Sequence, residues 1–407
     1  MRRVVVTGMG IICPLGAGVD TVWQRLVEAQ SGIGAVTAFD SRDLPSRIAG
    51  QVPAAALPGP QAEENRAGQF AMVAAQAAIE DAGWRPVGPE AEEMAGICLG
   101  SGCGRLKALH AHAQQHHGIP GGLAALPFPE AAMIHELACE VARRFDLRGP
   151  RRAVSTACSS GAHAIGDAAR MIACGDATVM LAGGAEAAIC ELGMAGFAAT
   201  RALSSAFNDR PAEASRPWDR ARDGFVMAEG AAMVLLEEYE QARRRGAPIH
   251  AELAGYGMSG DAHHPTAPAE GHAGAYRAMA HALRRGGLAP AEVQYINAHG
   301  TSTPLGDDLE IEAVERLFGD AAAGLAMSST KSATGHMLGA AGAAEAIFAI
   351  LALRDGIAPP TLNLDAPSRR TVIDRVARTA QRRPIRAVLS NSFGFGGTNA
   401  SLLFRAA

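Results

Sequence analysis

Ser155-Thr156-Ala157-Cys158-Ser159-Ser160-Gly161 leads straight into an Ala-rich stretch over 160–174, and Ser329-Thr330-Lys331-Ser332-Ala333-Thr334-Gly335 precedes another over 339–353. Each begins Ser-Thr, reaches a Gly and runs on into small residues of helical character. So few identities also fit chance. Read as a duplication, they predict two half-domains that each present a helix N-terminus to a shared site. The division falls in the charged stretch Glu237–Pro248, expected to close a helix, and gives halves 1–249 and 250–407.

Working outward, short β-branched runs alternate with Ala-rich ones. Val4–Thr7, Val179–Ala182, Met233–Glu237 and Val388–Asn391 read as strands, and 67–82, 160–174, 273–285 and 339–353 as helices. Such alternation predicts a layered α/β fold with buried sheets. Gly183-Gly184 and Gly394–Gly397 read as corners where backbones meet or φ turns positive. Gly8-Met9-Gly10 reads as the turn that ends the first strand. It is not a dinucleotide fingerprint, because Cys13 stands where the third Gly belongs.

The 407 residues are 48% hydrophobic and 19% charged, with a formal net charge of −4, so nothing global favours nucleic acid or an anionic membrane surface. Seven cysteines, without a CxxC pair, do not read as a disulfide framework or a zinc site. Reduced thiols in the cytoplasm are the expectation. Met1-Arg2-Arg3 and the valines after it are too short for a signal peptide, and 339–353 is too short to span a bilayer and holds Glu345. No metal is expected: His110, His112, His116 and His117 have no acid or Cys beside them and suit a solvated helix or loop.

Cys158 carries the strongest chemical signal. A thiol at a helix N-terminus meets unpaired N–H groups and the positive end of the helix dipole, which predicts a lowered pKa. Its small neighbours leave room for a thioester. The plain alternative, which suits the other six cysteines, is a small buried hydrophobe. His299, in Asn297-Ala298-His299-Gly300-Thr301-Ser302-Thr303, follows the strand-like Val293–Ile296, and His336 ends Lys331-Ser332-Ala333-Thr334-Gly335-His336. Each alone could be structural. One Cys with two loop His also fits a papain-like hydrolase, but the sequence around that enzyme's Cys is absent. Asn391-Ser392-Phe393-Gly394-Phe395-Gly396-Gly397-Thr398-Asn399 reads either as a tight turn or as a loop whose N–H groups face an oxyanion.

Together these motifs resemble the β-ketoacyl-acyl carrier protein synthases of the thiolase superfamily, particularly the type II elongating enzymes. The likeness runs from Val4–Gly10 to Phe393–Asn399 and includes Pro217-Trp218-Asp219 and Arg222-Asp223-Gly224-Phe225. It implies a duplicated thiolase fold in five alternating layers (αβαβα). It implies Cys158 as acyl-accepting nucleophile, His299 and His336 as the decarboxylation pair, and Lys331 with Glu345 as a charge network. N–H groups of Cys158 and Phe395 would form the oxyanion hole, and Phe393 and Phe395 the gate. Thr301 and Thr303 would hold phosphopantetheine, Asp307 and Glu310 would be structural, and Cys103, Cys190 and Phe197 would line the acyl pocket. No cofactor is implied beyond the carrier's arm. The implied partners are acyl carrier protein and a second subunit, identical or related.

Segment His110–Glu140 follows the family poorly. Ile134, His135 and Glu136 are expected near Cys103, Cys190 or Glu191 in the same or a partner chain, making a polar pocket floor with Glu136 or Glu191 paired. Such a pocket would suit a polyene or otherwise functionalised chain; surface drift is the plain alternative. Fatty-acid elongation is the leading reading, with a type II polyketide or polyene ketosynthase second. A non-catalytic chain-length partner would lack Cys158, and a degradative thiolase would carry a second catalytic Cys near the C-terminus, absent from 391–399.

Overall fold

The computed structural model describes residues 2–59, 65–115 and 133–407. Ten strands carry the architecture: β1 (Val4–Cys13), β2 (Ala95–Gly100), β3 (Arg151–Val154), β4 (Val179–Glu186), β5 (Gly230–Glu238), β6 (Ala251–Gly260), β7 (Tyr295–Asn297), β8 (Ala326–Ser328), β9 (Ala387–Gly394) and β10 (Thr398–Arg405). Their order is β3-β2-β4-β5-β1 followed by β6-β10-β9-β7-β8. In each half the first three strands from the far edge are parallel and the last two antiparallel. Among the described residues the two five-stranded halves of the sheet pair where Val5 and Val6 of β1 meet Glu252 and Ala251 of β6.

Three helices accompany each sheet: α1 (Arg66–Asp81), α2 (Ile134–Arg144) and α3 (Ser160–Cys174), then α4 (Ala273–Gly286), α5 (Gly306–Phe318) and α6 (Ala341–Asp355). Helices α1 and α2 lie on the outer face of the first sheet, and α4 covers β6 and β10 with α5 beside it. Helices α3 and α6 pack on each other and touch both sheets. This is the duplicated five-layer fold that the resemblance implies. Three apolar cores fill the spaces: one around α3 and α6, one under α1, one under α4 and α5. Among the described residues no helix is long and apolar enough to cross a membrane.

Glycines near the start of each half do not act as breakers. Strand β1 runs through Gly8 and Gly10 to Cys13, because a Cβ at either would meet the Ala78 or Ala74 carbonyl of α1 at 2.0 or 2.1 Å. Gly255 and Gly257 of β6 meet the Ala282 and Ala278 carbonyls of α4 in the same way, at 2.2 and 1.9 Å. The outer helix of each half thus rests directly on strand backbone. Gly183-Gly184 likewise lies inside β4 rather than at a corner, and lets Ala232 and Gly339 approach.

One further expectation holds and another changes. Besides closing a helix, as expected, Glu237–Pro248 also ends β5: the helix is the short Tyr239–Arg244, closed at Arg245, and the buried Glu237 carboxylate is held by Arg245 and the Thr7 hydroxyl. The duplication is real, but its register is not the one the Ser-Thr echo suggests. Helix α3 follows a 3-10 turn over Ala157–Ser159, and α6 follows one over Leu338–Ala340. Ala157 and Leu338 share a left-handed backbone, φ 51° and 46°, and the helices end on left-handed Gly175 and Gly356. Cys158 therefore corresponds to Gly339. The Ser329–Gly335 stretch precedes that equivalence and supplies its own short helix, Lys331–Thr334.

Candidate active site

The turn that carries Cys158 is over-determined. A left-handed residue other than Gly costs about 1–2 kcal/mol, and hydrogen bonds hold Ala157 there. Ser160 Oγ accepts the Thr156 N–H (2.9 Å) and donates to the Ala157 carbonyl (2.7 Å). The Thr156 carbonyl receives the Ser159 and Thr398 hydroxyls at 2.7 and 2.8 Å. The result aims Cys158, which is 7% exposed, into a cavity of about 300 Å3, within the range of small-molecule sites.

The cavity brings together Cys158, Phe197, His299, Thr301, Thr303, His336, Phe393 and Phe395, separated by up to 237 positions (158 to 395) in the chain. Its wall is a continuous succession of rings. Phe197 meets Phe225 (centroids 5.7 Å apart), Phe225 meets His336 (5.2 Å), His336 meets His299 (5.5 Å), and His299 meets Phe393 (5.8 Å). Phe393 meets His272 at 4.9 Å. Phe393 lies within β9, paired with Asn399, and is a fixed wall; Phe395 sits on the following turn, where Gly396 and Gly397 have φ 80° and 71°.

Burial decides the electrostatics. It pushes the Cys158 thiol up to about 11, with the Phe395 backbone N–H and Lys331 opposing it. The lowered pKa expected from the helix terminus does not prevail, because burial penalises the thiolate more. Burial and nearby Lys331 push both His299 and His336 well below the usual imidazole range. Both rings are neutral, and His336 Nδ1 and Nε2 and His299 Nδ1 have no hydrogen-bond partner among the described residues. Lys331 Nζ donates to the His299 carbonyl at 2.6 Å and pairs with Glu345, which burial raises to about 7.

Two acids hold the His299 loop. Glu310 accepts the N–H groups of His299 and Gly300 at 2.9 and 2.8 Å. Asp307, raised by burial to about 7, accepts those of Trp218 and Ser302 at 3.0 and 3.1 Å. Arg222 fixes the same loop from below, donating to the Thr303 and Pro304 carbonyls. The Thr301 and Thr303 hydroxyls stand 3.1 Å apart on the cavity wall.

Cys103 and Cys190 do not line this cavity. Cys103 packs with Phe197 against an apolar cluster of Ile189, Met194, Phe225 and Leu338, and Cys190 precedes the helix Glu191–Ala199. Among the described residues of the chain the polar pocket floor is not found. Glu191 is exposed, His135 is largely exposed, and Glu136 pairs with Arg143 at 3.3 Å on α2, which packs against α1, β2 and β3. His110 and His112 lie on the helix Leu106–Gln115; His116 and His117 fall outside the described residues. Among the described residues no His, Cys, Asp and Glu group is placed to hold a metal ion.

Sequence reasoning missed two residues. Glu186 is fully buried and accepts the N–H groups of Gly102, Cys103 and Gly339 at 2.7, 3.1 and 3.0 Å, with the Ser101 hydroxyl. An acid ending the buried run Val179–Ala185 was its only signal. His272, just before α4, lines the cavity beside Phe393.

Residues 1–242 match the family described as "Beta-ketoacyl synthase, N-terminal domain" and residues 250–365 its "C-terminal domain". The chain is 52% identical to a 3-oxoacyl-[acyl-carrier-protein] synthase 2 of Rhizobium meliloti, covering 100% of this chain and 99% of the relative. It is 46% identical to a mitochondrial 3-oxoacyl-[acyl-carrier-protein] synthase of Arabidopsis thaliana, over 99% and 93%. Among solved structures, a type II PKS ketosynthase bound to a hexaketide, in complex with its acyl-carrier protein, superposes with TM-score 0.90 at 33% identity, over 100% and 99% of the two chains.

Proposed function

The chain belongs to the β-ketoacyl synthase family, and from that premise we propose that it performs the decarboxylative condensation of fatty-acid elongation through Cys158. The convergence of one buried thiol, two neutral imidazoles and the Phe395 N–H on a single cavity carries this reading. In the first half-reaction the Cys158 thiol gives up its proton, attacks the carrier-borne acyl thioester and expels the carrier thiol, leaving acyl-Cys158. The N–H groups of Cys158 and Phe395 stabilise the tetrahedral oxyanion.

In the second half-reaction a malonyl thioester enters. Its C–C bond to the carboxylate breaks, CO2 leaves, and the electron pair forms an enolate. Neutral His299 and His336 can each donate one N–H to that oxygen. The enolate carbon then attacks acyl-Cys158, the new C–C bond forms, and the thiolate leaves and regains a proton. Lys331 with Glu345, and Glu310 with Asp307, hold His299 in place. Thr301 and Thr303 receive the phosphopantetheine arm, Phe395 gates the entrance, and the apolar wall excludes water. Phe197, on the cavity wall, accommodates the start of the acyl chain, with Cys103 behind it against the same apolar cluster. No cofactor enters these steps beyond the arm of the acyl carrier protein. The working form is a dimer with an identical or related chain, acting in the cytoplasm, with the nucleophile in half 1–249 and the His pair in half 250–407.

A polyketide reading draws on the 0.90 TM-score to the hexaketide-bound ketosynthase, but identity is 33% there against 52% to the R. meliloti synthase. The exposed Glu191 and the apolar cluster at Cys103 also favour a saturated chain. The test supplies acyl- and malonyl-carrier protein, follows CO2 and β-ketoacyl product, and maps the acyl mass by peptide. Acyl groups on Cys103 or Cys190 in place of Cys158 would overturn the proposal.

A further inference from the structure

We propose that His272 is a positioning residue of this site, hydrogen-bonding the amide nearest the thioester of the carrier-borne substrate. The inference rests on the ketosynthase reading and extends it to a residue outside the motifs. His272 is 5% exposed, and the cavity that holds Cys158, His299 and His336 is lined in part by this residue. Its ring leans on Phe393, whose other neighbour is His299. Neither ring nitrogen has a hydrogen-bond partner among the described residues, and Nδ1 is enclosed. Buried polar atoms left without partners are uncommon, and in a cavity wall they mark a place completed by a ligand.

The backbone points the same way. Gly271 and His272 are consecutive left-handed residues, φ 56° and 48°, locked by the His272 N–H donating to the Ala269 carbonyl at 2.9 Å. A side chain kept at that strained position, when the neighbouring Gly would suit the turn, is consistent with a functional constraint. Burial holds the ring down to about 4, with Asp261 opposing and Arg316 assisting, so it is neutral. A neutral imidazole offers one donor and one acceptor. That matches an amide, which also has one of each, and does not supply the cation that would favour a carboxylate.

The test compares two malonyl thioesters with acyl-loaded protein. Malonyl-N-acetylcysteamine carries one amide at this distance from sulfur, and malonyl-S-pentyl carries none. The wild-type protein should favour the amide-bearing thioester about 5- to 10-fold in kcat/KM, the worth of one neutral hydrogen bond. His272→Gly, which tolerates the left-handed backbone, should lose that preference, and His272→Asn, which also tolerates it and keeps a donor and an acceptor, should recover part of it. A purely structural role would lower both thioesters by the same factor; that result, or an unchanged preference in His272→Gly, would overturn the inference. Failure of the ketosynthase reading is recognisable separately, because wild-type protein would then condense neither thioester nor carrier-borne malonate onto Cys158.

Discussion

The two central helices start alike and do different work. Each follows a 3-10 turn whose first residue is left-handed, Ala157 in one half and Leu338 in the other. At the next position the first half presents the Cys158 thiol to the cavity, and the second has Gly339, where a Cβ would meet the Gly102 nitrogen at 2.3 Å. Helix α3 keeps Asp167 and Arg170 outside the core, whereas Ala341–Leu353 of α6 is buried without a break and includes Glu345, the partner of Lys331. A duplicated turn has been used once as a chemical support and once as a packing surface.

The comparison is easiest to break at its chemical end. Cys158→Ala should lower condensation by at least about a thousandfold, since the covalent route disappears, while changing unfolding free energy by about 1 kcal/mol or less. Coupled CO2 release and denaturant titration of one preparation check both parts; residual condensation within tenfold of wild type would end the distinction. Next in size, His299→Ala or His336→Ala should lower condensation about 10²- to 10³-fold, the worth of one oxyanion donor, yet retain measurable acyl transfer to Cys158. Variants that lost acylation but kept malonyl decarboxylation would reverse the roles.

Burial of the thiol gives the third test. A thiol raised to about 11 is only about 1% thiolate at pH 9. Iodoacetamide labelling of Cys158 in the unacylated protein should therefore keep rising with pH up to the limit of the folded state, rather than level near 9. A plateau near neutral pH would restore the helix terminus as the dominant influence. The smallest effect is expected at the structural end: Gly339→Ala should destabilise by about 1–3 kcal/mol through overpacking, measured as a lower denaturant midpoint. A neutral result would mean that Gly339 is not excluded from carrying a side chain.

Reactive residues were the most legible part of the sequence. Cys158, His299 and His336 stand among Gly, Ser and Thr, which leave loops around them, and the structure gathers them into one cavity. The duplicated register was not legible, because Ala157 and Leu338 share a backbone angle rather than a side chain. Gly8 and Gly10 read as breakers because a sequence does not display the helix lying on them. The direction of the Cys158 shift was missed for a related reason: helix position can be read locally, but burial depends on segments far along the chain. Glu186 and His272 belong to no motif, and only their bonding, or the lack of it, sets them apart.

Glu186 also bears on the modularity of the molecule. It sits at the end of a strand of the first half, yet its carboxylate gathers N–H groups from Gly102 and Cys103 on its own side and from Gly339 on the other. Cutting the chain between the halves would leave one fragment with a surplus acceptor and the other with an unmatched donor, besides baring the faces of α3 and α6 that touch. The duplication has thus passed the point of return: what reads as two copies in the topology is, in its bonding, a single indivisible unit.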